Sequence, residues 1–198
     1  MGSRRSSSAR RRRGSKSRCN ARSAIAWAAA LALAGAADAA ADGDAALAAQ
    51  LAARLHAEVG ALRAAAGLAP LAWDAALAAI AAEHSADMAR RHYFAHTSPE
   101  GVTFQMRYAA ANYECRVELA QRIHLGAENI AKREHRVTGR IANASAPWPD
   151  TAQLARDIAA DWRASAGHRR NLFAPHWRRE GIGVHATATE ILVTQNFC

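Results

Sequence analysis

The sequence predicts an α+β fold in which helices cover a small antiparallel sheet. Along most of the chain, apolar residues recur at intervals of three and four, which is the spacing of one helix face. The final segment changes to alternating and β-branched apolar residues, the pattern of paired strands. The 198 residues contain no internal repeat, so we expect a layered domain rather than a repeat array.

Two helices are predicted in the first half of the chain. Asp44 to Ala66 carries a leucine and valine face and is expected to end at Gly67. Asp74 can cap a second helix, DAALAAIAAEHSADMARRH. His84 falls on its inner face, and we interpret it as a core histidine satisfied by hydrogen bonding rather than as a ligand.

The segment YFAHTSPEG, residues 93–101, breaks the helical period and is rich in turn residues. His96 is therefore expected on a loop, where its side chain can face a cleft. A third helix is predicted from Thr103 to Ala111. It is followed by a polar, irregular stretch that contains Cys115, by a short strand at Glu128 to Ala131, and by a loop through Pro147 and Pro149.

A fourth helix is predicted after Asp150 or Thr151, either of which can cap it. Its inward face has Leu154, Ile158 and Trp162, and it is expected to end at Ala166-Gly167. His168 would then lie at a helix-to-loop junction, followed by Asn171, which can pin the turn. The segments GIGVHATA and ILVTQNF, with Thr189-Glu190 between them, predict a terminal hairpin.

The N-terminal segment has the pattern of a secretory signal peptide. Nine basic residues and no acidic ones lie within residues 1–22, before an apolar run from Ala24 to Ala37 and the small-x-small pattern Ala37-Asp38-Ala39. We therefore expect residues 1–39 to be a signal peptide with a long basic n-region, and residues 40–198 to be a single secreted or periplasmic domain. An uncleaved N-terminal anchor is the alternative, and it is the only membrane attachment that we expect.

The charge distribution argues against nucleic-acid binding. The chain has 26 Lys and Arg against 17 Asp and Glu, but residues 40–198 hold 17 basic and 16 acidic side chains and are nearly neutral. A domain that binds through phosphate contacts should keep a basic surface in its folded part. Arg169 and Arg170 are accordingly expected to pair with acids or to face solvent.

Two cysteines, Cys115 and Cys198, lie beyond the predicted signal peptide, whereas Cys19 lies within it. An even pair in an exported domain predicts one disulfide. Two unrelated free thiols remain the alternative, because sequence does not show that the two Cα atoms approach each other.

Several segments together resemble the CAP superfamily, which comprises cysteine-rich secretory proteins, venom antigen 5 and plant pathogenesis-related protein 1. In chain order they are GLAPLAWDAAL, AAEHSADMARRHYFAHTSPEG, AENIA, DWRASAGHRRNLF, GIGV and TQNF. These segments resemble most those of the short bacterial members, which have an SCP-like domain. The resemblance implies an α-β-α sandwich, with helices on both sides of the sheet and a cleft where two histidines and two acidic residues meet.

The resemblance places three cleft residues in this chain. His96 matches the histidine before the Ser-Pro turn, Glu128 matches the glutamate of the Gly-Glu-Asn motif, and His168 matches the Gly-His histidine. The fourth position, a glutamate in many eukaryotic members, falls on Ser165, so the tetrad becomes a triad. Ala127 stands where the family usually has glycine.

The residue types in this cleft allow three chemistries. His96, His168 and Glu128 form a ligand set for a divalent metal such as zinc with one position open. They also form an acid/base group, since histidine changes charge near neutral pH. In the third alternative they are a hydrogen-bonded polar knot that ties loops together. No cofactor is required by the sequence itself.

These features predict an exported, monomeric binding or interaction module of the cell envelope or extracellular space. Its cleft would take a small apolar or lipid-like ligand or an envelope component. The alternative is a metal-dependent hydrolase or peptidase that uses the same cleft. Against this alternative, no Ser or Cys nucleophile occurs in a recognisable motif, and Ser165 replaces an acid.

Overall fold

The computed structural model describes residues 21–119, 121–134, 148, 150–187 and 189–198, with side chains described from residue 43 onward. Residues 1–20, which contain most of the basic N-terminal segment, lie outside this part of the chain. So do Pro147, Pro149 and most of the loop predicted around these two prolines. The chain divides into two units, residues 1–39 and 40–198. Within the described residues, no helix is long and apolar enough to cross a membrane.

Five helices and six strands follow one another along the described chain: α1 (Ala21–Ala65), β1 (Ala72–Trp73), α2 (Ala75–Arg91), α3 (Phe104–Ala110), β2 (Val117–Leu119), β3 (Arg122–His124), β4 (Ala127–Glu134), α4 (Thr151–Ala164), α5 (Ala166–Leu172), β5 (Arg179–Ala186) and β6 (Glu190–Phe197).

The predicted helix boundaries have clear local causes. After α1 ends, Gly67 adopts a φ of 70°, a left-handed conformation that favours glycine. The Asp74 carboxylate caps α2 by accepting from the backbone N–H groups of Ala76 and Leu77 at 3.0 Å, as predicted. Thr103 caps α3 in the same way. Asp150 is the N-cap residue of α4, but its side chain makes no capping hydrogen bond.

The main sheet has the strand order β1-β5-β6-β4. β5 and β6 form the predicted antiparallel hairpin, and β4 pairs antiparallel with the other edge of β6. The predicted small sheet is antiparallel except at one edge, where β1 pairs parallel with β5 through Ala72↔Arg179 and Trp73↔Glu180. The sheet is therefore mixed, and its parallel strand has only two residues.

Helices cover both faces of this sheet, which confirms the α-β-α sandwich. The larger apolar core joins α1, α4 and α5 to one face, with Trp162 of α4 only 1% exposed. On the opposite face, α2 lies directly against β5. A Cβ atom at Gly183 would come within 1.9 Å of the Ala82 backbone nitrogen, so only glycine permits this approach.

Three predicted segments differ from the structure. The first helix was predicted to begin at Asp44, but α1 begins at Ala21. The stretch expected to be irregular contains a second, two-stranded sheet made of β2 and β3. The fourth helix ends at Ala164, two residues earlier than expected, and Gly167 and His168 lie inside a separate helix, α5. The prediction of a helix-to-loop junction at His168 is therefore wrong.

The predicted disulfide is confirmed. Cys115 and Cys198 are bonded, with their Cα atoms 5.6 Å apart and a sequence separation of 83. Both residues are buried beside Leu77 and Tyr108, so the bridge lies within a small apolar cluster rather than at the surface. It joins the end of β6 to the segment that precedes the β2–β3 hairpin.

Candidate functional site

Glu128 is the centre of a charged cluster at the outer edge of β4. Its side chain is only 1% exposed. Oε1 lies 3.0 Å from His96 Nδ1, and Oε2 lies 2.5 Å from Arg107 Nη2. Because both oxygens have charged or polar partners, the carboxylate is compensated in spite of its burial.

His96 lies on the loop between α2 and α3, as predicted, and its side chain is 49% exposed. The Arg107 guanidinium also donates to the His96 carbonyl oxygen at 3.3 Å, which ties the loop to α3. A carboxylate only accepts hydrogen bonds, so His96 Nδ1 is the donor in the hydrogen bond to Glu128. This hydrogen bond leaves the other ring nitrogen, Nε2, free to contact a ligand.

His168 approaches the same cleft from α5. Its ring centroid lies 6.4 Å from that of His96, with an interplanar angle of 61°. Burial, and then the neighbouring His96, lower the pKa of His168, so its ring is neutral at pH 7. Asn171, one turn later on α5, donates to the Glu128 carbonyl oxygen at 3.0 Å and so holds α5 against β4.

Ser165 lies where α4 meets α5. Its backbone N–H donates to the Asp161 carbonyl oxygen, and its own carbonyl accepts from the Arg169 N–H. Its side chain makes no capping hydrogen bond. Ser165 therefore shapes the break between the helices, and a part for its hydroxyl in the cleft stays a prediction.

Two members of the cluster, His84 and Arg107, were not predicted as site residues. His84 is 2% exposed, and its Nε2 lies 3.1 Å from the Ala95 carbonyl oxygen, which confirms the prediction of a hydrogen-bonded core histidine. The same nitrogen lies 4.0 Å from Glu128 Oε1. Burial lowers the pKa of His84 and keeps the ring neutral, so it adds no positive charge beside Glu128.

Arg107 could have been suspected from the sequence of α3. The helix, FQMRYAA, contains one cation and no acidic residue with which it could pair along the helix. A cation without a local partner on an otherwise uncharged helix can be matched by a distant acid. The sequence does not show which acid that is.

The cluster fits a metal ion only in part. Among the described residues, no group of three His, Cys, Asp or Glu side chains is arranged to hold a metal. Glu128 is engaged by His96 and Arg107, which leaves two imidazoles as donors. With Zn–N bonds of about 2 Å, two rings on one tetrahedral ion have centroids about 5 Å apart. The rings of His96 and His168 would have to approach by more than 1 Å from their separation of 6.4 Å.

A row of buried polar side chains, here called the amide strip, supports the cleft from the opposite face of the sheet. Glu180 accepts from His56 and from Gln195, each at 2.5 Å. Gln195 accepts from Asn129 at 3.1 Å, and Asn129 accepts from Asn171 at 2.9 Å. The strip thus runs across β5, β6 and β4 and ends at α5, close to His168.

Comparisons with solved structures give the same fold. An extracellular protein containing an SCP domain from Bacillus anthracis strain Ames matches with a TM-score of 0.56 and 26% identity, over 76% of this chain and 40% of that chain. This chain thus spans less than half the length of that protein. An outer surface protein from Borrelia burgdorferi matches with a TM-score of 0.53 and 19% identity, over 72% of this chain and 88% of that chain.

A comparison of the sequence with curated proteins finds no match. The family model is decisive, because it covers well over half of the chain and includes every predicted cleft residue. The model of the cysteine-rich secretory protein family, CAP, matches residues 56–197, and the chain therefore belongs to this family.

Proposed function

We propose that this chain is an exported CAP module that binds a small ligand or envelope component between His96 and His168. Each residue would contribute one imidazole ring, and the hydrogen bond to Glu128 would orient the ring of His96. A neutral imidazole nitrogen accepts hydrogen bonds, so the ligand carries a donor group, such as a hydroxyl, next to its apolar part. The role of the protein is then recognition rather than turnover.

The observation that carries this proposal is the double engagement of Glu128. A general base must be able to reach the proton that it abstracts. The Glu128 carboxylate is almost fully buried and is held by His96 on one oxygen and by Arg107 on the other. This arrangement favours a positioning role for Glu128 over a role as a free base or a metal ligand.

Export is supported by three independent features. The segment 1–39 has the sequence pattern of a secretory signal peptide. The buried disulfide is of a kind that persists in oxidising compartments. The Bacillus and Borrelia proteins of similar fold are described as extracellular and outer-surface proteins.

A metal-dependent hydrolase is the second candidate, and the geometry of His96 favours it. Histidines that bind metals commonly donate their other ring N–H to a carboxylate, which fixes the ring and exposes the ligating nitrogen. His96 and Glu128 have this relationship. In this alternative, His96 and His168 would hold a divalent ion that activates water.

Native mass spectrometry of the protein isolated from the cell envelope tests the proposal. We expect a small-molecule adduct that is lost in His96→Asn and in His168→Asn. The control is His92→Asn, because His92 is exposed at the C-cap of α2, where asparagine tolerates the left-handed backbone. Zinc-dependent cleavage of denatured casein that is lost in the first two variants would instead support the hydrolase. Retention of the adduct in both cleft variants would reject the binding site.

A further inference from the structure

The outer edge of β5 has no strand partner over most of its length among the described residues. Arg179 exchanges both of its backbone hydrogen bonds with Cys198, at the end of the pairing with β6. Hydrogen-bonded residues alternate along an antiparallel pair, so every second residue of β5, beginning at Glu180, points its N–H and C=O groups away from β6. At Glu180 the outward carbonyl accepts from the Asp74 N–H, where β1 ends. Further along the strand, the outward groups of Ile182 and Val184 face the position that a longer β1 would occupy.

The opposite edge of the sheet is covered. The outward carbonyl oxygens of Glu128 and Ile130 on β4 accept from the side chains of Asn171 and Trp162, each at 3.0 Å. Proteins commonly protect exposed strand edges by such contacts or by charged residues. The edge of β5 at Ile182, Gly183 and Val184 instead borders an apolar groove.

This groove, here called the β5 groove, has a volume of about 620 Å³. Small side chains form its walls, from α1 on one side and from α2 on the other; they are Ala48, Ala49, Ala52, Ala53, Ala78, Ala79 and Ala82. His56 and the half-exposed Trp73 complete the lining beside β5. The groove therefore continues the path of β1 between the two helical layers.

We propose that the β5 groove binds an extended peptide of small apolar residues, which adds a strand to β5. An added strand would satisfy the outward N–H and C=O groups of Val184, which an acyl chain could not do. Its alternate side chains would point toward the alanines of α1 and α2, and these shallow walls accept alanine and valine better than large or charged residues. The site is separate from the His96/His168 cleft, and its test does not depend on the function proposed for that cleft.

The test uses the full-length chain and a synthetic probe, an acetylated peptide amide of five alternating valines and alanines between two lysines. Amide hydrogen exchange at Ile182 and Val184, the groove residues whose N–H groups point outward, should slow by about tenfold or more when the peptide is saturating. The same peptide with N-methylated backbone nitrogens keeps its side chains but loses its donors, and it should not bind. Equal binding of both peptides, or binding without protection of Val184, would overturn the proposal.

A pair of protein variants localises the site. Ala53→Lys places a charge in the groove and should weaken peptide binding by about tenfold or more. Ala61→Lys is the matched control on the same helix, at an exposed alanine outside the groove, and should bind like the wild type. Equal affinities in the two variants would overturn the proposal, as would failure of the probe to bind the wild type. Concentration-dependent protection of Val184 without peptide would identify a second copy as the occupant and would also overturn it.

Discussion

Glu128 and Arg107 depend on each other, because each is the main charged partner of the other in a buried setting. Their side chains are 1% and 12% exposed. Removing one member of such a pair leaves the other without compensation, so we expect Glu128→Gln and Arg107→Met each to cost about 3 kcal/mol of unfolding free energy. The double variant should lose at least about 1 kcal/mol less than the two single losses combined. Urea unfolding measures all four proteins, and additive losses would show that the pair is not coupled.

His84 makes the stability of the protein sensitive to acid. Burial lowers its pKa in the folded protein, whereas the unfolded chain has the ordinary value near 6.5. The unfolded state therefore binds more protons, and the contribution of His84, complete above pH 6.5, is lost as the pH falls below that value. We expect a loss of at most about 1.4 kcal/mol per pH unit, seen in urea unfolding between pH 7 and 5. His84→Gln should flatten this acid slope, and an unchanged slope would contradict the assignment.

His56 acts in the opposite direction. Its hydrogen bond to Glu180 raises its pKa above the ordinary value. The folded state then binds the extra proton, so this contribution is present below pH 6.5 and is lost as the pH rises through the raised pKa. His56→Gln should therefore be most destabilising in acid and should converge toward the wild type as the pH rises. A constant difference across the pH range would show that His56 contributes by packing alone.

At the scale of elements, the contact between α2 and β5 tests the sandwich most directly. Gly183→Ala would drive a methyl group into the backbone of α2, so we expect a loss of about 3 kcal/mol or more, because the neighbouring atoms belong to a helix backbone. Gly60→Ala is the control, since Gly60 lies within α1 with nothing within 4 Å of the added Cβ. It should stabilise by about 0.5 to 1 kcal/mol. Thermal unfolding compares the two, and equal effects would argue against the close approach.

Long periodic elements were predictable from sequence, and short ones were not. The leucine face of α1 and the Asp74 cap of α2 can be read from nearby residues, and both are present in the structure. β1 has two residues and β2 and β3 have three each, too few for an alternating pattern to appear. In α5, the pair Ala166-Gly167 has the pattern of a helix end, but here it begins the next helix because Asn171 holds that helix against β4.

The candidate site was predictable from sequence only for residues that lie in recognisable motifs. His96, Glu128 and His168 lie in segments that resemble the family, and the structure brings them together. Arg107 was missed because its partner is 21 residues away and no local pattern links the two. The contact of His84 with Glu128 was missed because a histidine on the inner face of a helix has the same sequence spacing whether it is only buried or also contacts a site residue.

At the scale of the whole molecule, the disulfide joins residues with a sequence separation of 83, and the loop that it closes includes the β2–β3 hairpin, β4, α4, α5, β5 and β6. Reduction should lower the unfolding free energy by about 3 to 5 kcal/mol, since the unfolded chain regains the freedom of that loop. Urea unfolding with and without dithiothreitol measures the loss. The variant Cys115→Ala/Cys198→Ala is the control and should not respond to the reductant. Two titratable thiols in unreduced, denatured protein would contradict the bond.

The proposed export of the protein predicts where its N-terminal segment is cleaved. N-terminal sequencing of protein recovered outside the cytoplasm should begin near Ala40, because the small-x-small pattern ends at Ala39. Extracellular protein that retains Met1 would reject cleavage and favour an uncleaved N-terminal anchor.

The amide strip also determines which strand alignment the sheet can adopt. Side chains alternate between faces, so sliding β4 by one residue along β6 would exchange Glu128 with Asn129. The carboxylate would then lie against the apolar core around Trp162, away from Arg107, and Gln195 would lose its amide partner. A sheet built from alanine and valine alone would tolerate such a slip. Here a misaligned intermediate is penalised at several buried positions at once, so folding should proceed to one alignment without populating its neighbours.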